Sequence, residues 1–150
     1  MRSLADIRLL LDELDCKPAD ELEDLDFDFK EWKGRSQKDA LELVVETAVC
    51  MANGGGGTVV FGVNDRAVSR EGAIPGVHLE VNVKRLKKAV YDSSDPKITP
   101  VFEELLVPED RAACWSCSTF CAIQSWIRHL LLVSANDLRQ TTGRSCARWK

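Results

Sequence analysis

Apolar and polar positions along the chain repeat with two different periods, and the period separates helix from strand. Leu4, Ile7, Leu10, Leu11 and Leu14 recur at helical spacing behind a Ser3–Asp6 capping box, which predicts a helix over 4–15. Lys17-Pro18 interrupts that pattern and an acidic stretch follows. Leu25-Asp26-Phe27-Asp28-Phe29-Lys30 alternates with period two, predicting a strand with Leu25, Phe27 and Phe29 toward the core and Asp26, Asp28 and Lys30 on the other face. Ser36 with Asp39 opens a second helix on Leu41, Val44, Val45, Ala48 and Met51 that ends at Asn53, before the glycines Gly54 to Gly57. One of these glycines is expected to stop the helix in the left-handed conformation.

Thr58-Val59-Val60-Phe61-Gly62-Val63 is nearly all apolar and rich in β-branched residues, the pattern of a central strand buried on both faces. Asn64-Asp65 turns the chain. Val83, Leu86, Lys87 and Val90 predict a third helix over about 80–92, and Val101 to Val107 a further strand ended by Pro108. The order αβαβαβ predicts a mixed α/β (α+β) fold, a small central sheet covered by two or three helices.

At 150 residues one domain is expected. It divides into an N-terminal helix over 1–19, an α/β domain over 20–110 and an atypical segment over 111–150. No apolar run of about 18 residues occurs and no signal peptide is legible, so a cytoplasmic protein without membrane contact is expected. Residues 1–110 hold 14 Lys and Arg against 23 Asp and Glu, while 111–150 hold 6 against 1. An acidic body argues against unguided attraction to polyanions, so nucleic-acid binding needs a local basic stripe. Lys30, Lys33, Arg35 and Lys38, then Lys84, Arg85, Lys87 and Lys88, are the candidates.

The last forty residues carry Trp115, Trp126 and Trp149, four of the six cysteines and one acid, Asp137. So abrupt a change of composition just past a well-formed strand is what a shifted reading frame would produce; the alternative is a divergent end with a helix over 119–132. Cys114, Cys117 and Cys121 lack a fourth ligand at regular spacing in His129 or Cys146, so zinc is not expected. Gly54–Gly57 follows a helix and precedes a strand, the reverse of a phosphate-binding loop, and tight packing is the favoured role. His78 and His129 have no visible acid–base partner.

Taken in order, Asp28-Phe29-Lys30, Ala52-Asn53, Gly56-Gly57, Val59-Val60-Phe61-Gly62-Val63, Asn64-Asp65 and the later Gly76 resemble the Schlafen-type AlbA-like domain over about three-fifths of the chain. The resemblance implies a nucleic-acid-binding domain of a bacterial-type transcriptional regulator. Lys30, Lys33 and Arg35 would contact phosphates, and the turn of Asn53, Gly56 and Gly57 would let backbone approach. DNA and RNA both remain open as partners, as does self-association. In some members three carboxylates cleave RNA with a divalent ion. Carried over, they fall at Glu23, Asp28 and Asn64, with Asp65 the substitute for the amide. Such a site would take Mg²⁺ or Mn²⁺, and no other cofactor is implied. A neutral amide weakens that site, so binding is expected and metal-dependent RNA cleavage is the alternative. A third reading is a truncated ATP-binding or regulatory interaction module.

Overall fold

The computed structural model describes residues 2–32, 36–67, 69–77, 82–108, 127–136 and 148–149. Helix α1 spans Leu4–Glu13 and a 3₁₀ turn spans Ala19–Leu22. Strand β1 covers Phe27–Lys30, helix α2 Gln37–Gly54 and strand β2 Gly56–Phe61. The short helix α3 (Arg70–Ala73) and helix α4 (Val83–Ser93) follow. Strands β3 (Ser94–Asp95), β4 (Val101–Pro108), β5 (Ile127–Asn136) and β6 (Arg148–Trp149) complete the fold.

Both expected capping boxes form. Ser3 and Asp6 close the start of α1, and Ser36 and Asp39 that of α2. The stop of α2 is Gly55 at φ 113°, whose N–H donates to the Met51 carbonyl. A left-handed cap of this kind costs a glycine least because it has no Cβ.

The main sheet runs in the order β1-β2-β5-β4, with β1 and β2 parallel and the other two pairs antiparallel; β3 pairs with β6 separately. β2 therefore lies inside the sheet, and its apolar character follows from cover on both faces. On one face α2 and α4 pack over Val59, Phe61, Phe102, Leu131 and Val133, with Trp32 edge-on to Phe61 at 5.7 Å. On the other, Ile7, Leu11 and Leu14 of the α1 region and Leu22 cover Phe27, Phe29, Val60, Leu105, Leu130 and Leu132. The observed fold is the mixed α/β arrangement that the order of elements predicts.

Three local expectations are corrected. Leu25 is 95% exposed rather than buried. Asp24 and Phe27 exchange backbone hydrogen bonds of 2.9 and 3.1 Å, which closes a tight turn with Leu25 at its tip and starts the strand two residues later. The same turn sends Asp26 away from Asp28, toward Arg2 at 3.7 Å. Finally, residues 127–132 form the first part of β5 and not the end of a helix. Leu130 to Val133 are consecutively buried because β5 sits between β2 and β4. The cysteine triplet of 114–121 lies outside the described residues; Cys16 and Cys50 are free and exposed.

Candidate functional site

β1 is an outer strand, and its local sequence sets what it offers to solvent. Phe27 and Phe29 anchor one side in the core, edge-to-face at 4.9 Å. The alternation then turns Asp28 and Lys30 to the side shared by Val59 and Phe61, their register partners on β2. Lys30 Nζ donates to Asp28 Oδ1 at 2.6 Å and to the Phe29 carbonyl at 3.2 Å.

Glu23, just past the 3₁₀ turn, folds back so that its Oε1 accepts the Phe29 N–H at 3.1 Å. Its carboxyl also stands within hydrogen-bonding reach of Asp28. Partial burial pushes the Glu23 pKa above its ordinary 4.5; the Phe29 N–H opposes this, contact with Asp28 reinforces it, and Lys30 opposes it. The result is one cation beside two carboxyls, one of which holds its proton more readily than a free glutamate.

The other predicted residues are placed differently. Asn64 Oδ1 accepts the Arg66 N–H at 3.0 Å, so the amide at this position serves its own turn. The Asp65 side chain is exposed and makes no hydrogen bond or ion pair among the described residues, while its carbonyl accepts from Asp20 N at 3.2 Å. Among the described residues no three His, Cys, Asp or Glu side chains converge in a set that could hold a metal. Glu23 and Asp28 thus meet, and Asp65 does not join them. Lys33 and Arg35 lie outside the described residues.

The glycine turn lies beside the start of β1, because Thr58 N donates to the Asp26 carbonyl at 2.8 Å. Gly57 is buried there, and a Cβ on it would stand 2.6 Å from Met51 Sδ and 2.8 Å from the Asp26 carbonyl oxygen. Close packing of α2, β1 and β2 therefore demands glycine at this position. Gly56 pairs with Asn136 of β5, and Asn53 is half-buried in the last turn of α2. Gly54 and Gly55 are the exposed members. Asp28 is three residues further along the strand direction than Gly56, about 10 Å away by strand rise. Carboxylates and glycine turn are neighbours on adjoining strands rather than one point. Sequence reasoning missed the tie from Glu23 to the Phe29 amide, since no periodicity announces a side chain that caps a strand edge.

Residues 23–141 match the model of the family described as Schlafen, AlbA_2. No curated protein matches the chain. No helix among the described residues is long and apolar enough to cross a membrane.

Proposed function

The chain belongs to the Schlafen AlbA_2 family, and from that premise we propose that it is a nucleic-acid-binding domain of a bacterial-type transcriptional regulator. It contacts backbone phosphates through the basic stretch that leaves β1, namely Lys30, Lys33 and Arg35. The neighbouring turn of Asn53, Gly56 and Gly57 lets backbone approach. The family is generally nucleic-acid-associated, and the observation that carries the reading is the position of Lys30. It ends an outer strand, is 37% exposed, and is tethered by Asp28 where the basic stretch begins. Tethering orients the ammonium but offsets its charge, so net attraction rests on Lys33 and Arg35. Such contacts position a duplex or strand without reading its sequence. In filter binding at two salt concentrations, Lys33→Gln/Arg35→Gln is expected to bind more weakly, with a log–log salt slope shallower by roughly two. Unchanged affinity and slope would remove these residues from the interface.

The contact between Glu23 and Asp28 favours a second reading, metal-dependent RNA cleavage with Glu23, Asp28 and Asp65 as the carboxylates. The residues present supply two of the three in contact, and the set does not amount to a complete metal site. Incubating structured RNA with Mn²⁺ separates the readings. Cleavage by wild type that is lost in Asp28→Ala supports a nuclease, and intact RNA in both sinks it.

A further inference from the structure

Helix α4 carries cations where the local rules of helix stability disfavour them, and among the described residues the compensation is partial: Asn82 caps its first turn through Arg85 N–H, and Asp92 pairs with Lys88. Its first turn contains no acid and places Lys84 and Arg85 at the second and third helical positions. That is the positive end of the macrodipole, where cations are disfavoured. Lys84 stands one turn from Lys87 and Lys88, and Arg85 one turn from Lys88, spacings at which like charges repel. At ~100° per residue these four cations and Tyr91 fall within one arc of about 160°, opposite the buried Leu86 and Val90.

All four cations are exposed. Elsewhere Arg2, Lys17, Lys30, Lys38 and Arg70 each meet a carboxylate. On α4 only Lys88 does so among the described residues, with Asp92 at 2.6 Å. Lys97 extends the basic face, its Nζ donating to the Asp92 carbonyl at 3.0 Å and lying 5.3 Å from the Tyr91 ring. A row of charge that strains its own helix on an otherwise acidic body is expected to find its compensation in a ligand.

We infer that the outward face of α4 docks the phosphate backbone of duplex DNA. Charge complementarity names a polyanion. Rigidity favours a duplex, because a packed helix holds the Cα positions of cations one turn apart at a spacing of about 6 Å, which suits a regular backbone. Single strands are gripped by stacking platforms, whereas the one exposed aromatic of this face, Tyr91, already has Lys97 over its ring. The inference rests on the nucleic-acid reading but uses a separate surface. Lys87 lies 5.8 Å from the ring of Phe102 in β4, and β4 and β1 are the two outer strands of the sheet order.

The test is Lys84→Glu/Arg85→Glu in the full chain, beside Lys33→Gln/Arg35→Gln. Acids at 84 and 85 suit the helix dipole and face Lys88, so this variant is expected to melt at or above the wild-type temperature. Against labelled duplex DNA it is expected to lose at least ~10-fold in affinity at low salt and to show a salt slope shallower by roughly two. Wild-type affinity and slope in the α4 variant overturn the inference and leave the β1 reading standing. A wild type that binds no nucleic acid at low salt overturns both. Melting below wild type contradicts the premise that these cations strain the helix. Tighter binding to structured RNA, or to phosphatidylserine vesicles, with the same dependence on α4 overturns duplex DNA as the partner.

Discussion

Gly57 and Gly54 sit three residues apart and ask opposite things of a methyl group. At Gly57 a Cβ meets Met51 Sδ and the Asp26 backbone within 3 Å, whereas at Gly54 nothing lies within 4 Å. Gly57→Ala is therefore expected to cost about 1–3 kcal/mol through forced displacement of α2 from β1. Gly54→Ala, at a helical position, is expected to stabilise by up to about 1 kcal/mol. Urea unfolding of the two variants checks both signs. Glu23 gives a prediction in pH. Because its folded pKa is raised, the folded state binds the extra proton, and stability falls as pH climbs from 4.5 through the folded value. Glu23→Gln keeps an acceptor for the Phe29 N–H and removes the like-charge contact with Asp28. Relative to wild type it should gain stability over that window, which melting curves between pH 4 and 7 would reveal as a widening gap. If the two curves stay parallel, burial and Asp28 do not raise the Glu23 pKa in the folded state.

Among elements, those whose ends are written in local chemistry were legible in the sequence. Ser3, Asp6, Ser36 and Asp39 fix the starts of α1 and α2, and the glycine stop of α2 needs no tertiary information. Ser36→Ala is expected to cost about 1 kcal/mol in urea unfolding, with no loss in Ser36→Asp. Leu25 was misread because alternation alone cannot see that Asp24 and Phe27 pair across it. β5 was half-legible: Leu130 to Val133 is an unbroken apolar run, but its place between β2 and β4 depends on partners distant in sequence. Leu131 faces the α2–α4 layer and Leu132 the α1 layer. Leu131→Ala and Leu132→Ala should each destabilise by about 2–5 kcal/mol. Effects below about 0.5 kcal/mol in both would mean that this part of the 111–150 segment does not build the sheet.

At the level of the whole molecule, charge counts along the chain exposed an acidic body with basic islands, but not which cations are already spent. Lys30 is tied to Asp28, and Lys84, Arg85 and Lys87 have no ion pair among the described residues. Pairing of this kind depends on side chains meeting in space, as does the failure of Asp65 to reach Glu23 and Asp28. The candidate site was therefore legible as a strand with alternating acid and base, and illegible as a contact set. Both proposed surfaces work by displacing counterions from phosphates, which fixes the most direct measurement. A fluorescence-anisotropy titration of the full chain with labelled duplex, over a series of salt concentrations, should give log affinity falling linearly with log salt. Four or more phosphate contacts predict a slope of about −3.6 or steeper, at roughly 0.9 per contact. A flat dependence, or no binding at the lowest salt, would contradict the account.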